Sequence, residues 1–332
     1  MKKIFALLIT FLTLPLAASA HVKWFVDGES VIQSTHGTIP FYSISSVEVL
    51  IWAGITLLIV LLFSIADKYI PESRKLVDFA SKHDRQITRA VEVLIGIFLI
   101  SITFLWNIIL VPEFEIVSIY TLLLGVLQLF VGVFLIFGLI PRVNAVLILF
   151  LYINILFFGG WLSFVENIII VSLAAYIYLK NTPNGSFAAG YKVYAVEIVR
   201  IGTALSLITL AFTEKLMYPE LSLAFLGEHN WNFMQLVGIH WFSNNLFVLS
   251  AGFSELIFGI VYILGYMTRI NTIILSTFFA SSVVTMFIQF GKWEMEDLVV
   301  YAAAVILIFY GYGKTKFFHR VHDQSIWKKN LI

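Results

Sequence analysis

Nine apolar segments, near 46–66, 90–111, 116–140, 143–160, 164–180, 195–217, 246–267, 270–290 and 297–313, leave this chain little choice of solvent. Each is long enough to reach across the hydrocarbon core of a bilayer, the one at 143–160 being the shortest. The runs are continuously apolar rather than alternating, which predicts helices and not barrel strands. Only 12% of the residues are charged and 60% are hydrophobic, about half the charged fraction of a soluble domain. A protein core cannot absorb that much apolar surface. The expected fold class is therefore all-α, a polytopic transmembrane helical bundle. A lipid bilayer is its expected partner and nucleic acid is not.

The first twenty residues read as a signal peptide rather than a span. Lys2 and Lys3 form a basic start, the apolar run from Ile4 to Leu16 is too short to cross a bilayer, and Pro15 breaks its helix. Ala18-Ser19-Ala20 then offers the small residues that signal peptidase reads, so the mature chain is expected to begin at His21.

With that terminus outside, Lys and Arg orient the spans. The inside loops hold Lys68, Arg74, Lys75, Lys82, Arg85, Arg89, Arg142, Lys180, Lys192, Arg269 and the basic tail; the outside loops hold only Lys23, Lys215 and Lys292. The expected location is a bacterial-type inner membrane, with a periplasmic N-terminal segment at 21–45, a cytoplasmic linker at 67–89 and a cytoplasmic tail at 314–332. The outer segments carry acids instead, among them Glu113, Glu166, Glu214, Glu220, Glu294, Glu296 and Asp297.

The chain also repeats itself. "AVEVLIG" from Ala90 resembles "AVEIVRIG" from Ala195, and both spans end at Pro-Glu, Pro112-Glu113 and Pro219-Glu220. "LQLFVGVFLIFGLIPRVN" from Leu127 matches "SELIFGIVYILGYMTRIN" from Ser254 without a gap. Gln128 falls on Glu255, Gly132 on Gly259, Gly138 on Gly265, Arg142 on Arg269 and Asn144 on Asn271. Two four-helix repeats are expected, at 90–180 and 194–313, joined by the turn-rich "NTPNGS". The extra helix at 46–66 precedes them. An even number of spans per copy predicts parallel repeats.

The second repeat resembles the DoxX family of four-helix membrane proteins. The likeness lies in "RIGTALSLITLAFTEKLMYPELSLAFL", "FVLSAGFSELIFGIVYILGYMTRI" and "FGKWEMEDLVVY". The first repeat is a worn copy, with Asn107 where the second has Glu214 and Gln128 where it has Glu255. Together the copies cover about two-thirds of the chain. The resemblance implies a DoxX-like bundle; quinone as a cofactor and a membrane oxidoreductase complex as a partner follow from it alone.

Several residues are candidates for chemistry. The intramembrane polar set is Glu92, Gln128, Glu197, Arg200 and Glu255. Glu197 and Arg200, three apart, share a helix face and read first as a salt bridge or a snorkelling arginine. Glu92 stands at the equivalent place with no arginine partner. Glu255, roughly 14 Å into its span, must be protonated, paired or facing water. Glu214, Lys215, Glu294, Glu296 and Asp297 lie at span ends, where charges are usually solvated. A carboxylate cluster over a central cavity is the alternative there.

Four histidines, His21, His36, His229 and His240, are expected outside. A terminal His chelates Cu(II) through its amine and imidazole, and a second His completes a nitrogen-rich site. His229 and His240, eleven apart, would share one face of a continuous helix. The absence of cysteine excludes a thiol relay, a disulfide scaffold and a cysteine-held metal. No nucleotide-binding or hydrolase motif is present. Three functions stay open: a membrane redox or metal-handling subunit with a copper-type histidine site, which would serve a membrane oxidoreductase or a periplasmic metal protein; a small-solute or ion transporter using an intramembrane carboxylate; and a non-catalytic anchor of a partner complex.

Overall fold

The computed structural model describes residues 42–70, 73–229, 231–290 and 295–313. The signal peptide, His21, His36, Glu294 and the basic tail lie outside the described residues. In chain order the helices are α1 (Val47–Tyr69), α2 (Arg74–Lys82), α3 (Asp84–Trp106), α4 (Ile119–Phe137), α5 (Pro141–Phe158), α6 (Gly160–Glu166) and α7 (Ile168–Lys180). They continue with α8 (Ala195–Leu210), α9 (Glu220–His229), α10 (Phe233–Leu236), α11 (Asn244–Leu264), α12 (Thr268–Phe290) and α13 (Leu298–Tyr310). A two-stranded ribbon, β1 (Ile108–Ile109) and β2 (Val111–Glu115), follows α3.

Among the described residues, six helices are long and apolar enough to cross a membrane: α1, α3, α4, α5, the run Phe187–Leu216 that contains α8, and α11. The pair α6 and α7, bent by 51° at Asn167, makes a seventh if counted as one broken span. The fold is that of a multi-pass membrane helical bundle. Each of the nine segments read from hydropathy contains a helix. Helix α13 has only 13 residues, about 20 Å at 1.5 Å per residue. Helix α12 is 23 residues long. The outer surface is apolar, with Leu57, Leu61, Phe130, Phe137 and Phe157 all exposed, whereas Gln128, Asn144 and Asn271 are fully buried. Polar groups turned inward and apolar ones outward fit a lipid solvent.

Contacts divide the chain into two units, one of 1–64, 207–260 and 277–293, the other of 65–206, 261–276 and 294–332. This division follows neither repeat. In the second unit α13, the last helix of the second repeat, packs on α3, the first helix of the first. Helix α7, the last of the first repeat, lies on α8: the Ser206 hydroxyl accepts from the Ile169 amide at 3.0 Å, and a side chain on Gly202 would collide with Ser172. Each copy thus lends its fourth helix to the other copy's first. Within the first copy, α3 and α4 cross where Gly96 meets Gly132; a Cβ on Gly96 would lie 2.7 Å from the Gly132 carbonyl oxygen. Small residues at a crossing let helix backbones touch, the main source of helix adhesion in lipid.

The eighteen-residue match is also a match of backbone. Gly138 and Gly265 both have positive φ (70° and 74°), and so do Ile140 and Met267 (both 41°). The Leu139 amide donates to Phe134, and the aligned Tyr266 amide to Val261. Left-handed φ is rare for a β-branched residue such as Ile140, so this shared turn is built into both copies. Arg142 and Arg269 then reach the far end of the fourth helix, Arg142 to the Tyr178 hydroxyl at 3.1 Å and Arg269 to the Ile308 and Phe309 carbonyls at 2.9 and 3.0 Å.

Two boundaries depart from the sequence reading. Helix α3 begins at Asp84, six residues before the expected start of the span, so much of the expected linker is helical. It ends at Trp106, where Asn107 takes the left-handed conformation that closes helices. The chain then turns back as the ribbon rather than continuing to 111. Ile108, Ile109, Leu110, Val111 and Phe114 of that ribbon are all buried.

Candidate functional site

In the second copy the first helix does not end as α3 does. After Leu210 it widens into a π-helical turn, Ala211–Leu216. A π turn holds an additional residue, and such turns are frequent at functional sites. The longer second copy fits this: its Ala-Val-Glu and Pro-Glu markers are further apart than those of the first. Glu214 and Lys215 lie on this turn, and both are 0% exposed.

The Lys215 ammonium meets Glu255 of α11, with Nζ 3.0 Å from Oε1, and stands 3.8 Å from Glu214 Oε2. All three residues belong to the first unit. Glu255 is near the middle of α11, far from either end of a membrane-spanning helix. Gly252, one turn earlier on the same face, makes room for the lysine stem; a Cβ there would come within 3.0 Å of the Lys215 Cβ and 2.8 Å of Leu216. Helix α9 folds back over the turn, and its Ser222 hydroxyl donates to the Glu214 carbonyl at 2.9 Å. An apolar cluster of Leu221, Phe225, Leu226, Trp231, Met234, Phe242, Phe247 and Val248 closes this end of the unit.

Two carboxylates and one ammonium thus meet in a place shielded from water. A charge costs more there than in water and is bearable only if paired.

The first copy solves the same position without charge. The Gln128 side chain donates to the Thr103 hydroxyl at 2.7 Å and to the Leu99 and Ile108 carbonyls, and accepts from the Leu110 amide at 3.2 Å. It is tied to the buried ribbon. Aligned positions thus hold a satisfied amide in one copy and a charged cluster in the other.

The remaining candidates fall elsewhere. Glu92 has a partner after all: Arg89 Nη1 lies 2.7 Å from its Oε2, and Asn181 donates to its Oε1 at 2.8 Å. The arginine was missed because it precedes the glutamate by three residues, whereas Arg200 follows Glu197 by three. Glu197 and Arg200 are 3.8 Å apart. Both arginines serve helix ends. Arg89 donates to the Leu135 and Ile136 carbonyls; Arg200 donates to Tyr262 and, at 2.8 Å, to Ile263, which are the aligned residues. The expectation that span-end charges are solvated fails for Glu214 and Lys215, and also for Glu296 and Asp297, which are 6% and 4% exposed in a short 3-10 turn before α13. Asn107 is not the counterpart of Glu214. It is an exposed helix cap, because the ribbon displaces the equivalent turn.

His229 and His240 do not share a helix. Helix α9 stops at His229, α10 is a single turn, and His240 is exposed in the turn beyond it. His229 packs edge-on against Phe225 and lies 3.9 Å from Glu228. Among the described residues no three His, Cys, Asp or Glu side chains gather as metal ligands, so no copper site is built from them. Comparison with protein-family models, with curated proteins and with solved structures returned no match for this chain.

Proposed function

We propose that this protein is a membrane transporter for a small solute or ion, with the Lys215–Glu255 pair as its proton-handling centre. One observation carries the reading: a lysine with no exposure, between two carboxylates, on a π turn against the middle of a membrane-spanning helix. Ionisable groups at such depth mark ion and proton pathways. The first copy supports it further, since Gln128 shows that the scaffold accepts an uncharged residue at this place. Stability alone does not call for the charges.

Infrared difference spectroscopy on the purified protein tests this. A protonated-carboxyl band that appears on acidification and disappears in Glu255→Gln is the expected result. In proteoliposomes loaded with a pH dye, wild type should move protons when a solute gradient is imposed, and Glu255→Gln should not. Flux that survives Glu255→Gln unchanged sinks the proposal.

The metal reading, a DoxX-like redox or metal-handling subunit with copper or quinone, rests on His21 and His36 and on family likeness. Elemental analysis of the mature protein beside a His21→Ala variant decides whether copper is held there.

A further inference from the structure

Helix α2 is held at the bilayer boundary by its neighbours. Both α1 and α3 are long and apolar enough to cross a membrane. Helix α2 follows α1 after residues 70–73 and is joined to α3 through the single residue His83. With 9 residues it extends about 14 Å at 1.5 Å per residue, too little to cross a bilayer. A short helix tied at each end to a span stays where headgroups meet acyl chains. We infer that the exposed face of α2, together with the first turn of α3, docks on the phosphate headgroups of anionic phospholipids.

Amphipathicity comes first. Val77 and Ala80 are buried, and α2 packs on α13. Lys75, Phe79 and Lys82 recur at helical spacing on the opposite side, and all are exposed. Arg85, in the first turn of α3, is exposed as well. Charge points the same way. Among the described residues Lys75, Lys82 and Arg85 enter no ion pair. Asp78 is the single acid on α2, and Asp84 is already paired with Lys180. The face therefore keeps a positive charge that the protein does not neutralise, and an anionic headgroup does. Phe79 adds an anchor. It is 44% exposed, and its ring stacks on His83 at 4.1 Å and on Phe309 at 5.5 Å between centroids. An aromatic ring set among cationic side chains is the composition of helices that lie in the interface, with the ring at the acyl boundary and the cations at the phosphates. A nucleic acid or an acidic protein would need this face turned to open solvent, whereas its two tethers keep it beside lipid.

Such docking is electrostatic and depends on the lipid. Each Lys or Arg near an anionic surface contributes about a fivefold gain in affinity, and salt screens it. The inference stands apart from the carboxylate centre, since α2 and the Lys215–Glu255 pair belong to different units.

Thermal unfolding of the purified full chain in detergent, with lipid added, is the test, because a lipid that binds the folded state raises its melting temperature. Wild type should be stabilised by lower concentrations of phosphatidylglycerol than of phosphatidylcholine. The preference should vanish at about 1 M salt. The triple variant Lys75→Gln, Lys82→Gln and Arg85→Gln should need about tenfold more phosphatidylglycerol, or beyond, for the same rise. Its positions are exposed, so its stability in phosphatidylcholine should match wild type. Glu255→Gln should keep the wild-type preference whatever becomes of the transporter reading. The two lipids are compared on wild type first, so a variant that fails to fold leaves that result intact. An equal response of wild type to the two lipids overturns the inference. So does a preference for phosphatidylglycerol that the triple variant retains in full.

Discussion

Lys215→Met is expected to destabilise the protein by about 3–5 kcal/mol, the usual consequence of removing one partner from a buried ion pair. Methionine matches the lysine stem in length, so packing against Gly252 survives while the ammonium is lost. Two carboxylates then remain in a shielded place, with Glu255 and Glu214 both deprived of the nearest cation. The double variant Lys215→Met with Glu255→Gln should recover most of the loss. It removes the second charge and recreates the amide that the first copy already holds at the aligned Gln128. Replacing a buried pair by neutral groups is often nearly without cost, unlike breaking it. Thermal unfolding in detergent, followed by tryptophan fluorescence, measures both. A double variant no more stable than the single one would show that Lys215 matters for its bulk and not for its charge.

The contrast between the copies shows what the sequence disclosed. The continuously apolar segments and the eighteen-residue match, which pairs Gly138 with Gly265, were legible because they are local: short-range geometry follows from short-range residues. Glu255 stood out for the same reason, as a lone acid in an apolar run. Its partner did not. Lys215 lies forty residues earlier, at a nominal span end where a charge would normally be solvated. Only the π turn and the return of α9 carry it inside, and hydropathy cannot tell a helix that leaves the membrane from one whose chain folds back. A visible signal did exist in the closer spacing of the first copy's markers, which says that the second copy holds additional residues between Ala195 and Pro219. The ribbon at 108–115 was hidden likewise, because its apolar residues extend the hydropathy of α3 without a break. Span counting met a similar limit: α13 is apolar but only 13 residues long.

Arg200 should prove the most costly arginine to remove. It is 2% exposed and donates to three backbone carbonyls, Tyr262, Ile263 and Tyr312, while its remaining nitrogen faces Glu197 at 3.8 Å. Two of these carbonyls, Tyr262 and Ile263, lie at the end of α11, where a helix leaves carbonyls without an intrahelical partner; Tyr262 also accepts from the Gly265 amide at 3.1 Å. In lipid no water replaces a lost donor. Arg200→Leu should therefore cost about 3 kcal/mol or more, since each buried carbonyl left without a donor costs about 1–3 kcal/mol and the losses are not strictly additive. Arg89 performs the aligned service for Leu135 and Ile136, but its side chain is 34% exposed and solvent or headgroups can stand in for it. Arg89→Leu should cost only about 1 kcal/mol, as expected for a screened, partly exposed charge. Arg200→Lys should rescue little, because a single ammonium cannot spread over three carbonyls as a guanidinium does. Thermal unfolding of the three variants ranks them. Equal losses for Arg89→Leu and Arg200→Leu would mean that burial of the cap, which differs between the two copies, does not set its strength.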